Sequence, residues 1–142
     1  MNNKDESVLS PLEFRILYES VGLDQRGVGQ FTGIRVVRIA DMIHGRRRIS
    51  SRAVEWLRDL VKVREQLVDT LLARFENAST VVLPFDPETD WQAQFCNHTI
   101  LLVAWTLEGN GVQVSFRPMH MRSVFNQEFL TAHPSANSFD NL

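Results

Sequence analysis

Residues 23–46 read LDQRGVGQFTGIRVVRIADMIHGR and contain two short amphipathic segments. Asp24 has a side chain suited to cap the first helix, whose inward positions are predicted to be Val28 and Phe31. Gly33 supplies the tight turn that ends this helix. The pattern therefore predicts a short helix that is followed at once by a turn.

A second short helix is predicted after the turn. It runs from about Arg35 to His44, with Ile39 and Met42 on its inward face, and it stops at Gly45. Two short helices joined by a glycine-containing turn are typical of helix-turn-helix proteins. In such proteins the second helix enters the major groove of B-DNA, where residues of its first turns reach base edges.

Helices are also predicted on both sides of this segment. Ser10 followed by Pro11 indicates an N-cap and a proline at the first helical position, and Gly22 ends that helix. The apolar positions of this helix at helical spacing are Leu12, Ile16, Leu17 and Val21, with Phe14 and Tyr18 flanking them. On the other side, a long amphipathic helix is predicted over about 51–77, with a break near Val63.

The pattern changes after this long helix. Residues 80–83 form a β-branched run that is predicted to be a short strand stopped by Pro84, and residues 112–116 alternate as a second strand. The apolar run over 98–108 fits either a strand or a helix, and we favour strand–helix–strand. A further helix is predicted near 122–130.

The predicted fold class is mainly α with a small α+β part at the C-terminus. Residues 1–64 are expected to form the helix-turn-helix bundle, and residues 65–142 the remainder of the connecting helix and a strand–helix–strand dimerisation domain. This second part is rich in large aromatic residues for its size. They are Trp91, Phe95, Trp105, Phe116, Phe125 and Phe129.

The charge distribution is uneven although the net charge of the chain is only -2. Residues 26–64 carry ten Lys and Arg against three Asp and Glu, a net charge of +7. Residues 65–142 carry three Lys and Arg against nine Asp and Glu, a net charge of -6. Such asymmetry indicates that one half of the protein meets a polyanion and the other does not.

Several function classes are not expected. The chain of 142 residues has no apolar run near the ~20 residues that cross a bilayer, and its polar N-terminus lacks the apolar stretch of a signal peptide, so a cytoplasmic protein is expected. Cys96 is the single cysteine, so no disulfide and no cysteine-based metal site are expected. The four histidines lack metal-ligand spacing, and His98 and His120 are expected to be partly buried. We therefore expect that the protein is not an enzyme and that it binds no cofactor and no metal.

The segment over 23–46 resembles the repressor-type (Xre/Cro-like) helix-turn-helix family. The elements that carry the resemblance are Leu23-Asp24-Gln25, Val28-Gly29, Gly33-Ile34, Ile39 with Met42, and Gly45. The match covers roughly residues 10–60 without a gap and implies a sequence-specific DNA-binding regulator. One departure is that Ile43 and Tyr18 stand where the family often has a glutamate and an arginine.

Two groups of residues are predicted to contact DNA. The base contacts are predicted to be Arg35, Val36, Val37 and Asp41, on the outward face of the second helix. The phosphate contacts are predicted to be Gln25, Arg38, Arg46, Arg47 and Arg48, around the ends of the two helices. Val36 and Val37 suit thymine methyl groups, and Asp41 suits a cytosine amino group.

The order of the elements is also similar to small phage and bacterial regulators, including the anti-CRISPR-associated repressors. This similarity implies a homodimer that represses its own operon from an inverted repeat with two half-sites. Two alternatives remain open at this point. The chain is otherwise the antitoxin of a toxin–antitoxin pair, with a toxin as protein partner, or an oligomeric interaction scaffold that does not bind DNA.

Overall fold

The structure is a computed structural model that describes residues 9–120. This part of the chain contains five helices and two strands. They are α1 (Pro11–Ser20), α2 (Gln25–Thr32), α3 (Val36–Ile43), α4 (Ser51–Arg74), β1 (Thr80–Phe85), α5 (Trp91–Gly109) and β2 (Gln113–Pro118). The fold is thus mainly helical with a small sheet, as predicted. The helix predicted near 122–130 lies outside the described residues.

Helix α1 begins where the sequence predicts, because Ser10 and Glu13 form a reciprocal cap. The Glu13 amide donates to Oγ of Ser10 at 3.1 Å, and the Ser10 amide donates to Oε1 of Glu13 at 2.8 Å. The backbone amide of Ser10, and then its hydroxyl, hold the pKa of the Glu13 carboxyl below its ordinary value. The start of α1 is therefore fixed locally.

The inward face of α1 differs from the prediction. Phe14 and Tyr18 are buried, with ring centroids 5.6 Å apart, whereas Leu12 and Ile16 are 65% and 58% exposed. Of the apolar positions predicted at helical spacing, Val21, the residue after α1, is fully buried. Phe14, Tyr18 and Val21 also have helical spacing, and the two aromatic rings remove more apolar area from water than Leu12 and Ile16 would.

Helix α4 is continuous over 24 residues, so the predicted break near Val63 is wrong. Val63 is fully buried on the same stripe as Leu60 and Leu67, and the helix continues because each turn keeps an apolar contact. The helix begins at the predicted cap, where the Ala53 amide donates to Oγ of Ser50 at 3.2 Å. It ends at Arg74, three residues before the predicted end.

The C-terminal elements form a βαβ unit that consists of β1, α5 and β2. The two strands are parallel, and Leu83 pairs with Phe116. The apolar run over 98–108 lies inside α5, which confirms strand–helix–strand. Pro84 does not stop β1, because it lies in register with Arg117 in a sheet where both strands are edges and a missing N–H is tolerated.

The βαβ unit packs against the N-terminal helices. Buried side chains from Phe14 in α1 to Leu107 in α5 form a single apolar cluster. The described parts of the two predicted domains, 9–64 and 65–120, therefore share a core. None of the helices in the described range combines the length and the apolar character needed to cross a bilayer.

Candidate nucleic-acid interface

Helices α2 and α3 are joined by a three-residue turn. Hydrogen bonds define both ends of α2. At the start of α2, the carboxylate of Asp24 accepts from the Gly27 amide at 2.7 Å. At its end, Gly33 has a φ of 75°, and its amide donates to the carbonyl oxygen of Gly29 at 2.9 Å. The left-handed backbone conformation at this position favours glycine, and the turn could therefore be predicted from the sequence.

Gly29 allows the turn to approach α2 closely. A Cβ atom at this position would lie 2.9 Å from the carbonyl oxygen of Ile34 and 3.1 Å from Cγ2 of Val36. The first turn of α3 therefore lies directly against α2, and the angle between the two helices depends on the absence of a side chain here. This close approach explains why a residue without a side chain, Gly29, follows Val28 in the sequence.

Helix α3 presents an exposed face. Ile39 and Met42 are buried, as predicted, and they anchor the helix on the core. On the outward side, Val37 is 61% exposed and Val36 is 44% exposed. Exposed β-branched residues side by side at the start of a helix have no core to fill, so an external partner is a natural explanation for them.

Five arginines surround a depression next to α3, which we call the arginine groove. Its volume is about 490 Å³. Its lining residues are Gly33, Ile34, Arg35, Arg38, Met42, Arg47, Arg48, Ser50 and Arg52. Because no carboxylate belongs to this lining, the groove is strongly positive and suits a polyanion.

Arg52 is a member of the groove that the site prediction omitted. Its Nη2 donates to the carbonyl oxygen of Thr32 at 3.0 Å, and its guanidinium lies 4.7 Å from the centroid of the Trp56 ring. The cap at Ser50 places Arg52 in the first turn of α4, beside the loop arginines. The predicted helix start therefore contained the signal that could have identified this residue.

The predicted contact residues occupy four positions. Arg35, Arg38, Arg47 and Arg48 line the groove, and Val36 and Val37 lie beside it on the exposed face of α3. Asp41 and Arg46 form an ion pair at the end of α3, with 3.1 Å between Oδ1 and Nε. Gln25 stands apart from the groove.

Gln25 is half-buried and interacts with the Tyr18 hydroxyl. The pKa of this hydroxyl is raised, first by burial and then by the carboxylate of Glu19, and the hydrogen bond with Gln25 acts in the opposite direction. The Gln25 side chain thus has a partner inside the protein. Its predicted phosphate contact requires it to turn outward or to serve through its backbone.

The histidines and carboxylates of residues 9–120 include no group of three that could hold a metal ion. His98 is half-buried, as predicted. His120 is exposed instead, with Nδ1 3.8 Å from carboxylate oxygens of both Asp86 and Glu88. It lies just beyond the end of β2, where the sheet and α5 do not cover it.

Comparison of the chain with protein-family models and with curated proteins finds no match. The geometry of α2, α3 and the arginine groove therefore carries the functional argument.

Proposed function

We propose that this protein is a sequence-specific DNA-binding transcriptional regulator that represses transcription as a homodimer and has no catalytic activity. The observation that carries the proposal is the arginine groove beside the exposed face of α3. The groove offers phosphate contacts and the helix face offers base contacts, and a sequence-specific DNA-binding surface uses both.

The dimensions of α3 support entry into the major groove. An α-helix with its side chains is about 10–12 Å in diameter, and the major groove is about 12 Å wide and 8.5 Å deep, so the eight residues of α3 can lie inside it. Val36 and Val37 would contact thymine methyl groups, and Arg35 would reach a guanine edge at the start of the helix. We propose that α2 and α3 act as a helix-turn-helix, with α3 as the recognition helix.

The electrostatics support binding by this side of the molecule. The βαβ unit, residues 80–118, carries four Asp and Glu against one Arg, whereas the arginine groove holds five arginines. A duplex is therefore attracted to the groove and repelled by the βαβ unit, which orients the encounter. Each neutralised phosphate also releases counterions, so affinity falls steeply with added salt.

The homodimer is supported by exposed apolar side chains on the βαβ unit. Trp105 on α5 is 59% exposed, and Val82 on β1 and Phe116 on β2 are exposed as well. To read two half-sites, such a dimer must hold its two recognition helices about 34 Å apart.

The experiment begins with selection of duplexes by the protein from a random 30-base-pair pool. Fluorescence anisotropy then measures the affinity for the selected duplex. Arg38→Ala is expected to weaken binding and to reduce the slope of log K against log salt by about 0.9. Arg15→Ala is the matched control, because Arg15 is an exposed arginine on α1 outside the groove lining.

Failure of the pool to yield an enriched sequence would overturn sequence-specific regulation, and equal effects of the two variants would overturn the groove. The same experiments separate the alternatives. A scaffold binds no duplex, and an antitoxin co-purifies with the product of a neighbouring gene.

A further inference from the structure

We infer that the βαβ unit positions the DNA-reading helices, and that Trp91 and Gln94 at the start of α5 are the positioning residues. This inference rests on the proposed function and names the residues that hold its site in place. It assigns the βαβ unit a role in DNA recognition within one chain, in addition to the dimerisation proposed above.

Gln94 holds the N-terminus of α2. Its Oε1 accepts from the Asp24 amide at 3.0 Å, and its Nε2 donates to Oδ1 of Asp24 at 3.1 Å and to the carbonyl oxygen of Thr89 at 3.0 Å. The same Asp24 oxygen caps Gly27, so one carboxylate joins α5 to the first turn of α2. A Cβ at Gly27 would overlap Oε1 of Gln94, which shows that the Gln94 side chain lies directly against the first turn of α2.

Trp91 holds the other end of α2. Its amide donates to Oε1 of Gln30 at 2.9 Å, and its ring centroid lies 4.7 Å from that of Phe31. Phe31 is fully buried and immediately precedes Thr32, the last residue of α2. A shift of α5 therefore displaces α2 at both ends.

A line of aromatic contacts continues from α5 to the arginine groove. The Phe31 ring is 6.0 Å from the Trp56 ring, and the guanidinium of Arg52 lies over Trp56. Arg52 also holds the carbonyl oxygen of Thr32, where α2 enters the turn. A chain of contacts through Phe31, Trp56 and Arg52 thus connects Trp91 to the groove.

Comparison of specific with non-specific DNA binding distinguishes a positioning residue from a residue that only stabilises the fold. Non-specific binding depends on the number of phosphate-neutralising charges, and neither Trp91 nor Gln94 carries a charge. Specific binding requires α3 and the groove arginines to meet bases and phosphates in a fixed register. Loss of positioning therefore lowers specific affinity alone, whereas a smaller folded fraction lowers both affinities equally.

The test measures the affinity of Trp91→Ala, Trp91→Phe and Gln94→Ala for the selected duplex and for a shuffled duplex of the same composition. Trp91→Ala and Gln94→Ala are expected to lose about ten-fold in affinity for the selected duplex and less than about two-fold for the shuffled one. Trp91→Phe keeps a ring against Phe31 and is expected to retain most of the wild-type affinity for the selected duplex. Equal losses on both duplexes, or no loss on either, would overturn the inference. If Trp91→Ala does not fold, Gln94→Ala decides the question by the same criterion.

A second measurement does not depend on DNA. If the wild-type chain enriches no sequence, the proposed function fails, and hydrogen exchange then tests the positioning alone. The Gly33 amide, bonded to Gly29, is expected to lose at least about ten-fold in protection in Trp91→Ala relative to the Phe14 amide in α1, because only α2 has lost its support. A constant ratio between the two amides would overturn the inference.

Discussion

The carboxylate of Asp41 accepts a hydrogen bond from Nε of Arg46 across 3.1 Å at the end of α3. The two side chains are 32% and 63% exposed, so the pair contributes at most about 1 kcal/mol to stability. The carbonyl oxygen of Asp41 also accepts from the Arg46 amide at 2.8 Å, which keeps the turn in place without the side chains. The ion pair therefore contributes little to folding. Its main effect is on the charge of the proposed DNA-facing surface, because both residues are predicted DNA contacts.

Asp41→Asn is expected to raise the affinity for a shuffled duplex several-fold. The substitution removes a negative charge from the proposed DNA-facing surface and releases Arg46 for a phosphate. The slope of log K against log salt should steepen by up to about 0.9. Anisotropy titrations at several salt concentrations measure both quantities.

The matched control for Asp41→Asn is Glu19→Gln. Glu19 forms a comparable exposed ion pair with Arg15 on α1, with 2.9 Å between Oε2 and Nε. The two substitutions change the net charge equally, but only one lies beside the proposed contacts. If Glu19→Gln raises the affinity as much as Asp41→Asn, net charge alone explains the effect and Asp41 has no place in the interface.

Gly29→Ala is expected to destabilise the protein although alanine is the better helix former. The new Cβ would lie 2.9 Å from a backbone oxygen of Ile34, and such overpacking costs about 1–3 kcal/mol. Gly109→Ala is the control, because a Cβ at this helical position meets nothing within 4 Å. Since Gly109 is the last residue of α5, that substitution should stabilise by at most about 0.5–1 kcal/mol, the value for a helix interior. Urea unfolding measures both, and a stabilised Gly29→Ala would show that the turn does not press on α2.

Helix starts and the turn glycine could be predicted from the sequence because they depend on local chemistry. Ser10, Asp24 and Ser50 each accept a hydrogen bond from a backbone amide three residues later, and Gly33 adopts the left-handed conformation that its position requires. These features need only neighbouring residues. The inward positions of α3 follow for the same reason, since its short apolar stripe has one orientation.

Features that depend on distant residues could not be predicted. Phe14 rather than Leu12 is buried because of what α1 meets in three dimensions, and the helical spacing fits both choices. The contact of Gln94 with Asp24 joins residues 70 positions apart, and nothing in either neighbourhood indicates it. The arginines of the site were visible as a charge cluster, whereas their convergence on one groove depends on the start of α4.

His98 is expected to make stability depend on pH. Burial, and then the charge of Arg64, hold the pKa of its imidazole below the ordinary value of 6.5. Glu65 and Asp69 line the same surface depression as His98 and Arg64. Because the unfolded chain binds the proton at a higher pH than the folded one, the free energy of unfolding should fall as the pH drops below about 6.5.

His98→Gln is expected to flatten this dependence, measured by urea unfolding at intervals between pH 5 and pH 7.5. His44→Gln is the control, since His44 is an exposed residue after α3. The His44 variant should retain the slope of the wild type. An unchanged slope in His98→Gln would mean that other groups, such as the carboxylates, dominate the pH dependence.

Trp105→Glu is expected to convert the proposed dimer to a monomer. Trp105 is 59% exposed, so the substitution should cost the folded chain little, but a charge buried between two copies is strongly unfavourable. Ile16→Glu is a close control, because Ile16 is 58% exposed and lies on α1, away from the βαβ unit. Sedimentation equilibrium should give the mass of one chain for Trp105→Glu and of two chains for Ile16→Glu and the wild type. Dimeric Trp105→Glu would place the contact between copies on another surface, and monomeric Ile16→Glu with dimeric Trp105→Glu would assign it to α1.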